Sequence, residues 1–126
     1  MDLETLKWDE KGLVSVVFQD YQTGEVLTLG YMNREALART LETRRVHVYR
    51  RSHGRVMEKG ERSGNYQLVK QVWVDCDADA LVMKIEQIGR AACHTGHRSC
   101  FYRKLEGGEL VTVGERVFDP KEVYGQ

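Results

Sequence analysis

Residues 12–31 read GLVSVVFQDYQTGEVLTLGY, two apolar stretches around a polar, glycine-containing turn. Gly12 to Asp20 is rich in valine, which suits a pleated backbone, so it reads as a strand. Tyr21 to Glu25 carries turn chemistry at Thr23-Gly24, and Val26 to Tyr31 alternates loosely as the hairpin partner. Immediately downstream the period changes. Asn33 has the side chain of a helix N-cap, and Glu35 sits where the helix dipole favours negative charge. Ala36, Leu37, Thr40 and Leu41 then share one helical face, and Arg44-Arg45 closes the segment. A short amphipathic helix is therefore expected over Arg34 to Thr43.

Val46 to Arg50 reads as a strand, Ser52 to Arg55 as a turn and Val56 to Glu58 as a short return strand. Residues 59–65 (KGERSGN) form a polar, glycine-containing loop. Gln67 to Asp77 and Leu81 to Ile88 read as two longer strands, residues 89–99 as irregular. Phe101 to Leu105 and Leu110 to Val113 are short strand candidates around Gly107-Gly108. There is no internal repeat and no low-complexity stretch. The expected fold is α+β: a β-rich single domain over residues 1–126 with one or two short helices.

Lysine plus arginine number 19, balanced by 19 aspartates and glutamates. A general nucleic-acid binder would carry a basic excess, so no nucleic-acid partner is expected. Apolar runs are only a few residues long, too short to span a membrane, and the N-terminal MDLETLKWDEKG lacks the apolar core of a secretory signal. The expected location is the cytoplasm. Three cysteines is an odd number and suits metal binding or chemistry in a reducing compartment better than a disulfide framework.

Asp75-Cys76-Asp77-Ala78-Asp79 repeats a carboxylate at every second residue. On extended backbone all three would face one way and Cys76 the other. Three adjacent carboxylates need a counterion, and a hard divalent cation such as Mg²⁺ suits them. The plainer reading is a solvated acidic turn. A calcium-binding EF-hand loop over Asp75 to Glu86 is a further alternative. It has Ala80 where the sharp turn needs glycine, and strand-like flanks where helices are needed.

Cys93-His94-Thr95-Gly96-His97-Arg98-Ser99-Cys100 places two thiols and two imidazoles in one loop. Thiolate ligands suit zinc. Three cysteine ligands, Cys76, Cys93 and Cys100, would leave one position for water, as catalytic zinc does; a histidine closing it would give a structural, non-catalytic Cys3His module. If Asp75, Asp77 and Asp79 share a cation, Cys76 points away from it, and a zinc site shared between two subunits meets both demands. The ordinary pKa of histidine suits His94 to proton transfer, whereas His97 reads as a plain exposed loop histidine. The 59–65 loop offers backbone N–H groups, Lys59, Arg62 and the Ser63 hydroxyl to a phosphate. Together these parts suggest metal-assisted hydrolysis of a phosphorylated small molecule.

DCDADAL (75–81) followed by EQIGRAACHTGHRSCFYR (86–103) resembles the signature of the phosphoribosyl-AMP cyclohydrolase family. QDYQTGEVLTLGYMNREALARTLET (19–43) and KGERSGNYQLV (59–69) resemble it in order and spacing. The resemblance implies hydrolytic opening of the adenine ring of N1-(5-phosphoribosyl)-AMP between N1 and C6, by zinc-activated water, in L-histidine biosynthesis. It implies an intertwined homodimer with one zinc per subunit, held by Cys76, Cys93 and Cys100 drawn from both chains. It also implies Mg²⁺ on Asp75, Asp77 and Asp79, and proton transfer by His94. The candidate substrate-binding set is Arg51, Ser52, Lys59, Glu61, Ser63, Gly64 and Thr95. A stand-alone form is expected, with the neighbouring pyrophosphohydrolase step on another chain. The sequence departs from the family pattern at Arg50, His53 and Met57, where serine, arginine and tryptophan are usual, which bears on substrate affinity rather than on the metals.

Overall fold

The computed structural model describes residues 2–61, 64–89 and 97–113. After a single 3-10 turn (Leu3–Thr5) come strands β1 (Val14–Asp20) and β2 (Val26–Met32) and helix α1 (Arg34–Thr43). Strands β3 (His47–Arg50), β4 (Arg55–Glu58), β5 (Gln67–Val74), β6 (Ala80–Gln87), β7 (Arg103–Glu106) and β8 (Glu109–Thr112) follow. The fold is α+β and β-rich, as the periodicities predict.

The main sheet has the order β2-β1-β6-β5. β1 and β2 are the expected antiparallel hairpin, with Val14 opposite Met32 and a bulge between Phe18 and Gln19. The central contact is different in kind: β1 and β6 run parallel, from Ser15 opposite Ala80 to Asp20 opposite Ile85. A parallel pair needs a long crossover, and here β2, α1 and the β3–β5 segment provide it. β3–β4 and β7–β8 form two separate two-stranded ribbons.

One face of the sheet is the core. Val14, Val16 and Phe18 of β1 alternate inward, as do Leu81, Met83 and Ile85 of β6. Helix α1 covers them with Ala36, Leu37 and Thr40, and Leu41 packs at the edge. Each large aliphatic or aromatic side chain buried here contributes about 1.5–3 kcal/mol of transfer free energy.

The helix caps are instructive. Asn33 Oδ1 accepts the Ala36 N–H at 2.8 Å, the N-cap expected from its position. At the other end Arg44 is itself the C-cap, in the left-handed region at φ 64°, with its N–H on the Thr40 carbonyl. That conformation costs a side-chain-bearing residue about 1–2 kcal/mol, and glycine nothing comparable. The Arg44 side chain is exposed, so Arg44→Gly is expected to raise the melting temperature by about 3–5 °C, read by calorimetry.

One strand boundary differs from expectation. Gln67 to Asp77 was to be continuous strand, but β5 stops at Val74. Asp75 Oδ1 accepts the N–H groups of Asp79 (2.9 Å) and Ala80 (3.3 Å), and Ala78 takes φ 62°. Aspartate's capacity to bond backbone N–H groups nearby outcompetes the ladder, and the segment folds into the β5–β6 turn.

Candidate active site

The acidic turn gathers its carboxylates by loop closure rather than by strand alternation. Asp75, Asp77 and Asp79 are exposed, and one oxygen from each lies within 4.8 Å of the others. Such an all-oxygen set fits a hard divalent cation. The electrostatics agree. Asp79 is pushed up to about 6, first by sharing a proton with Asp75, then with Asp77, and by their negative charge. Asp75 is held below the usual carboxylate range, mainly by that same bond and by the N–H groups of Asp79 and Ala80. Below about pH 6 a proton is thus held where a cation would bind. The flanks are the strands β5 and β6, which removes the EF-hand reading.

Of the cysteines, Cys76 is exposed in this turn, and Cys100 is half-buried. Cys93, His94, Thr95 and Ser63, with Arg62, lie outside the described residues. The two described thiols stand at opposite ends of the main sheet. Cys76 precedes β6, whose first residue, Ala80, is level with Ser15 of β1. The Cys100 N–H bonds the Leu27 carbonyl at 2.7 Å, level with the Phe18/Gln19 bulge. At about 3.3 Å per residue, roughly 10 Å of strand separates these levels, before the two intervening strand spacings are added. Two thiolates on one zinc must each stand about 2.3 Å from it. One chain alone does not bring Cys76 and Cys100 to one metal. As zinc donors these thiolates have the right chemistry.

A cavity of about 300 Å³ opens between β2 and the β3–β4 ribbon. It is lined by three of the predicted substrate residues, Arg51, Ser52 and Lys59, together with Arg50, Tyr31 and Tyr49. The Arg51 guanidinium lies 4.1 Å from the centre of the Tyr31 ring. Ser52 Oγ is 3.0 Å from His53 Nδ1. Three cations among two phenol rings make a pocket for an anionic, ring-bearing molecule. The cavity lining includes Thr28, which directly follows Leu27, the residue whose carbonyl anchors Cys100. Neither Cys100 nor the acidic turn is itself in the lining.

Glu61 and Gly64 are beside the cavity rather than in its lining. Glu61 lies 4.0 Å from Arg55, and the Gly64 N–H bonds the Gly60 carbonyl at 2.8 Å. Gly60 has φ 90°, and a Cβ there would meet the Asn65 carbonyl carbon at 2.5 Å, so the loop's tight closure requires glycine.

Arg50, Tyr31 and Tyr49 were missed as site residues. Arg50 looked only like a departure from a family pattern, and the tyrosines like ordinary strand residues. The available signal was the clustering of Arg50 and Arg51 at a hairpin tip. Arg98 was missed too: its Nη2 donates to Asp20 Oδ2 at 2.7 Å and its Nε to Glu25 Oε1 at 2.6 Å. His97, expected as an exposed loop histidine, is half-buried and stacks on Tyr102, ring centres 3.7 Å apart.

Comparison with known proteins bears on the whole arrangement. The family model for phosphoribosyl-AMP cyclohydrolase matches residues 28–102. The phosphoribosyl-AMP cyclohydrolase of Methanococcoides burtonii is 52% identical over 98% of this chain and 99% of its own length. That of Methanothermobacter thermautotrophicus is 56% identical over 90% of this chain and 83% of its own. The histidine biosynthesis bifunctional protein HisIE of Thermoanaerobacter pseudethanolicus is 49% identical over 97% of this chain, which spans 56% of that longer protein. No helix among the described residues is long and apolar enough to cross a membrane. With the three-carboxylate turn, the cation-lined cavity and these matches in agreement, the chain belongs to the phosphoribosyl-AMP cyclohydrolase family.

Proposed function

We propose that this chain hydrolyses N1-(5-phosphoribosyl)-AMP, opening the adenine ring between N1 and C6, as a step of L-histidine biosynthesis. The observation that carries the reading is the identity to phosphoribosyl-AMP cyclohydrolases over nearly the whole chain. The cavity supports it: Arg50, Arg51 and Lys59 offer fixed positive charge to a substrate with two phosphates, and Tyr31 and Tyr49 offer ring faces.

Cys76, Cys93 and Cys100 would hold zinc, one per subunit, with Cys76 supplied by the other copy of a homodimer. The opposite-end placement of Cys76 and Cys100 supports that division. Zinc so bound supplies a water acidified towards neutrality. His94, next to Cys93 in sequence, takes and returns the proton. Substrate C6 is electrophilic because N1 carries the phosphoribosyl group and the ring is cationic. Arg51, Ser52 and Lys59 would orient the substrate, with Glu61, Ser63, Gly64 and Thr95 as its further binding residues. Asp75, Asp77 and Asp79 would hold Mg²⁺. Thiols that serve as metal ligands must stay reduced, which favours the cytoplasm.

The test is ultraviolet absorbance over time with N1-(5-phosphoribosyl)-AMP, with and without a zinc chelator. A shift to the ring-opened product, abolished by the chelator and restored by zinc, is the expected result. No turnover by folded protein with both metals supplied would overturn it. His94→Ala should keep its zinc while the rate falls; loss of zinc would point instead to a closed Cys3His site.

The acidic turn gives a second expectation. Because Asp79 holds its proton up to about pH 6, cation and proton compete for the turn. Mg²⁺ affinity is expected to rise with pH through about 6 and level off above, read by calorimetric titration. The sign for folding is opposite without metal: a raised carboxylate favours the folded state at low pH and loses that contribution as pH rises through 6.

A further inference from the structure

The β1–β2 turn makes more contacts with the cysteine loop than a hairpin turn needs. Asp20 is nine-tenths buried, and its Oδ1 accepts the N–H groups of Gln22 (2.8 Å) and Thr23 (3.0 Å). Its other oxygen takes Arg98, 78 residues away, while Glu25 takes the same guanidinium. Burial alone would raise the Asp20 carboxyl, but the two turn N–H groups and Arg98 outweigh it and hold it ionised. The next residues are anchored in turn. Ser99 Oγ donates to the Val26 carbonyl at 2.7 Å and accepts the Phe101 N–H at 2.9 Å. The Cys100 N–H bonds Leu27. Residues 98–100 are thus fixed, one after another, to the turn and the first residues of β2, and Phe101 is held to Ser99.

We infer that the Asp20–Arg98–Glu25 network is a positioning device that sets the Cys100 thiolate for its metal. The inference rests on the zinc reading above. Metal ligands tolerate displacements of only about 0.2 Å, and groups that support ligands typically change affinity about 10–100-fold. With its backbone N–H held and its neighbours pinned, Cys100 has little left to adjust except its own χ1 torsion. An exposed ion pair would contribute little, but a guanidinium shared by two carboxylates, one of them buried, defines a geometry as well as an attraction. Asp20, Arg98 and Glu25 need touch neither substrate nor zinc.

The experiment is zinc competition against a chromophoric chelator on the purified protein, alongside melting of the zinc-free form. Arg98→Met and Asp20→Asn are expected to weaken zinc about 10–100-fold. Arg98→Lys, which keeps the charge without the fork, should recover part of the loss. Glu35→Gln, which breaks an unrelated exposed pair with Arg39 on α1, should change nothing. Glu25→Gln leaves Arg98 its buried partner and should cost several-fold, which keeps the test open if a harsher variant fails to fold. Unchanged zinc affinity in folded Arg98→Met, with only the zinc-free melting temperature lowered, would reduce the network to a structural brace and overturn the inference. Wild-type protein that binds no zinc would instead overturn the ligand assignment on which it rests.

Discussion

Mixing Cys76→Ser chains with Cys100→Ser chains is expected to restore about a quarter of wild-type turnover, although each variant alone is inactive. The two residues lie at opposite ends of the sheet of one chain, so the proposed zinc site would draw them from two copies. Random reassociation gives half of the dimers one chain of each kind. In those, one of the two sites pairs the surviving Cys76 with the surviving Cys100, and the other site has lost both. Half of the dimers, half of the sites, gives the quarter. Zinc content should follow the same arithmetic, measured by atomic emission after chelator washing. Absence of any recovery, under conditions where mass analysis shows mixed dimers, would mean that the two thiols do not share a metal across chains.

Replacing Arg51 with methionine should lower kcat/KM about 10–150-fold, the size of a lost hydrogen bond to a charged group. Arg51 lines the cavity at the tip of the β3–β4 ribbon, and its guanidinium rests 4.1 Å from the Tyr31 ring centre. Stacking of this kind pre-orders a long side chain, so less rotamer freedom is lost when substrate arrives. The residue is exposed in the unliganded protein, so the melting temperature should barely move. A rise in KM with kcat kept would say that Arg51 binds substrate and transition state alike. An equal fall in kcat and kcat/KM would place its contact in the transition state. A variant with full activity would remove the cavity from the substrate site, since Arg51 is one of its three cations.

Much of this molecule could be read from neighbours in the chain. The β1–β2 hairpin, the Asn33 cap and the inward face of α1 were legible because alternation, capping and helical spacing act over a few residues. The donor chemistry of the acidic run and of the cysteine loop was legible for the same reason: a side chain carries its ligand atoms wherever it goes. What local pattern could not supply was position in space. The strand expected to run through Asp77 yields at Val74 because a carboxylate oxygen found two N–H groups across a turn. The parallel pairing of β1 with β6 joins segments more than sixty residues apart in sequence, and no periodicity within either names its partner. That pairing sets Cys76 at one end of the sheet and leaves Cys100 at the other. Arg50, Tyr31 and Tyr49 became a cavity only when the ribbon folded beside β2, and Arg98 found Asp20 only across 78 residues. Ligand identity is a property of single residues. Shared site geometry depends on which distant strands come to lie side by side, and the assembled sheet decides that.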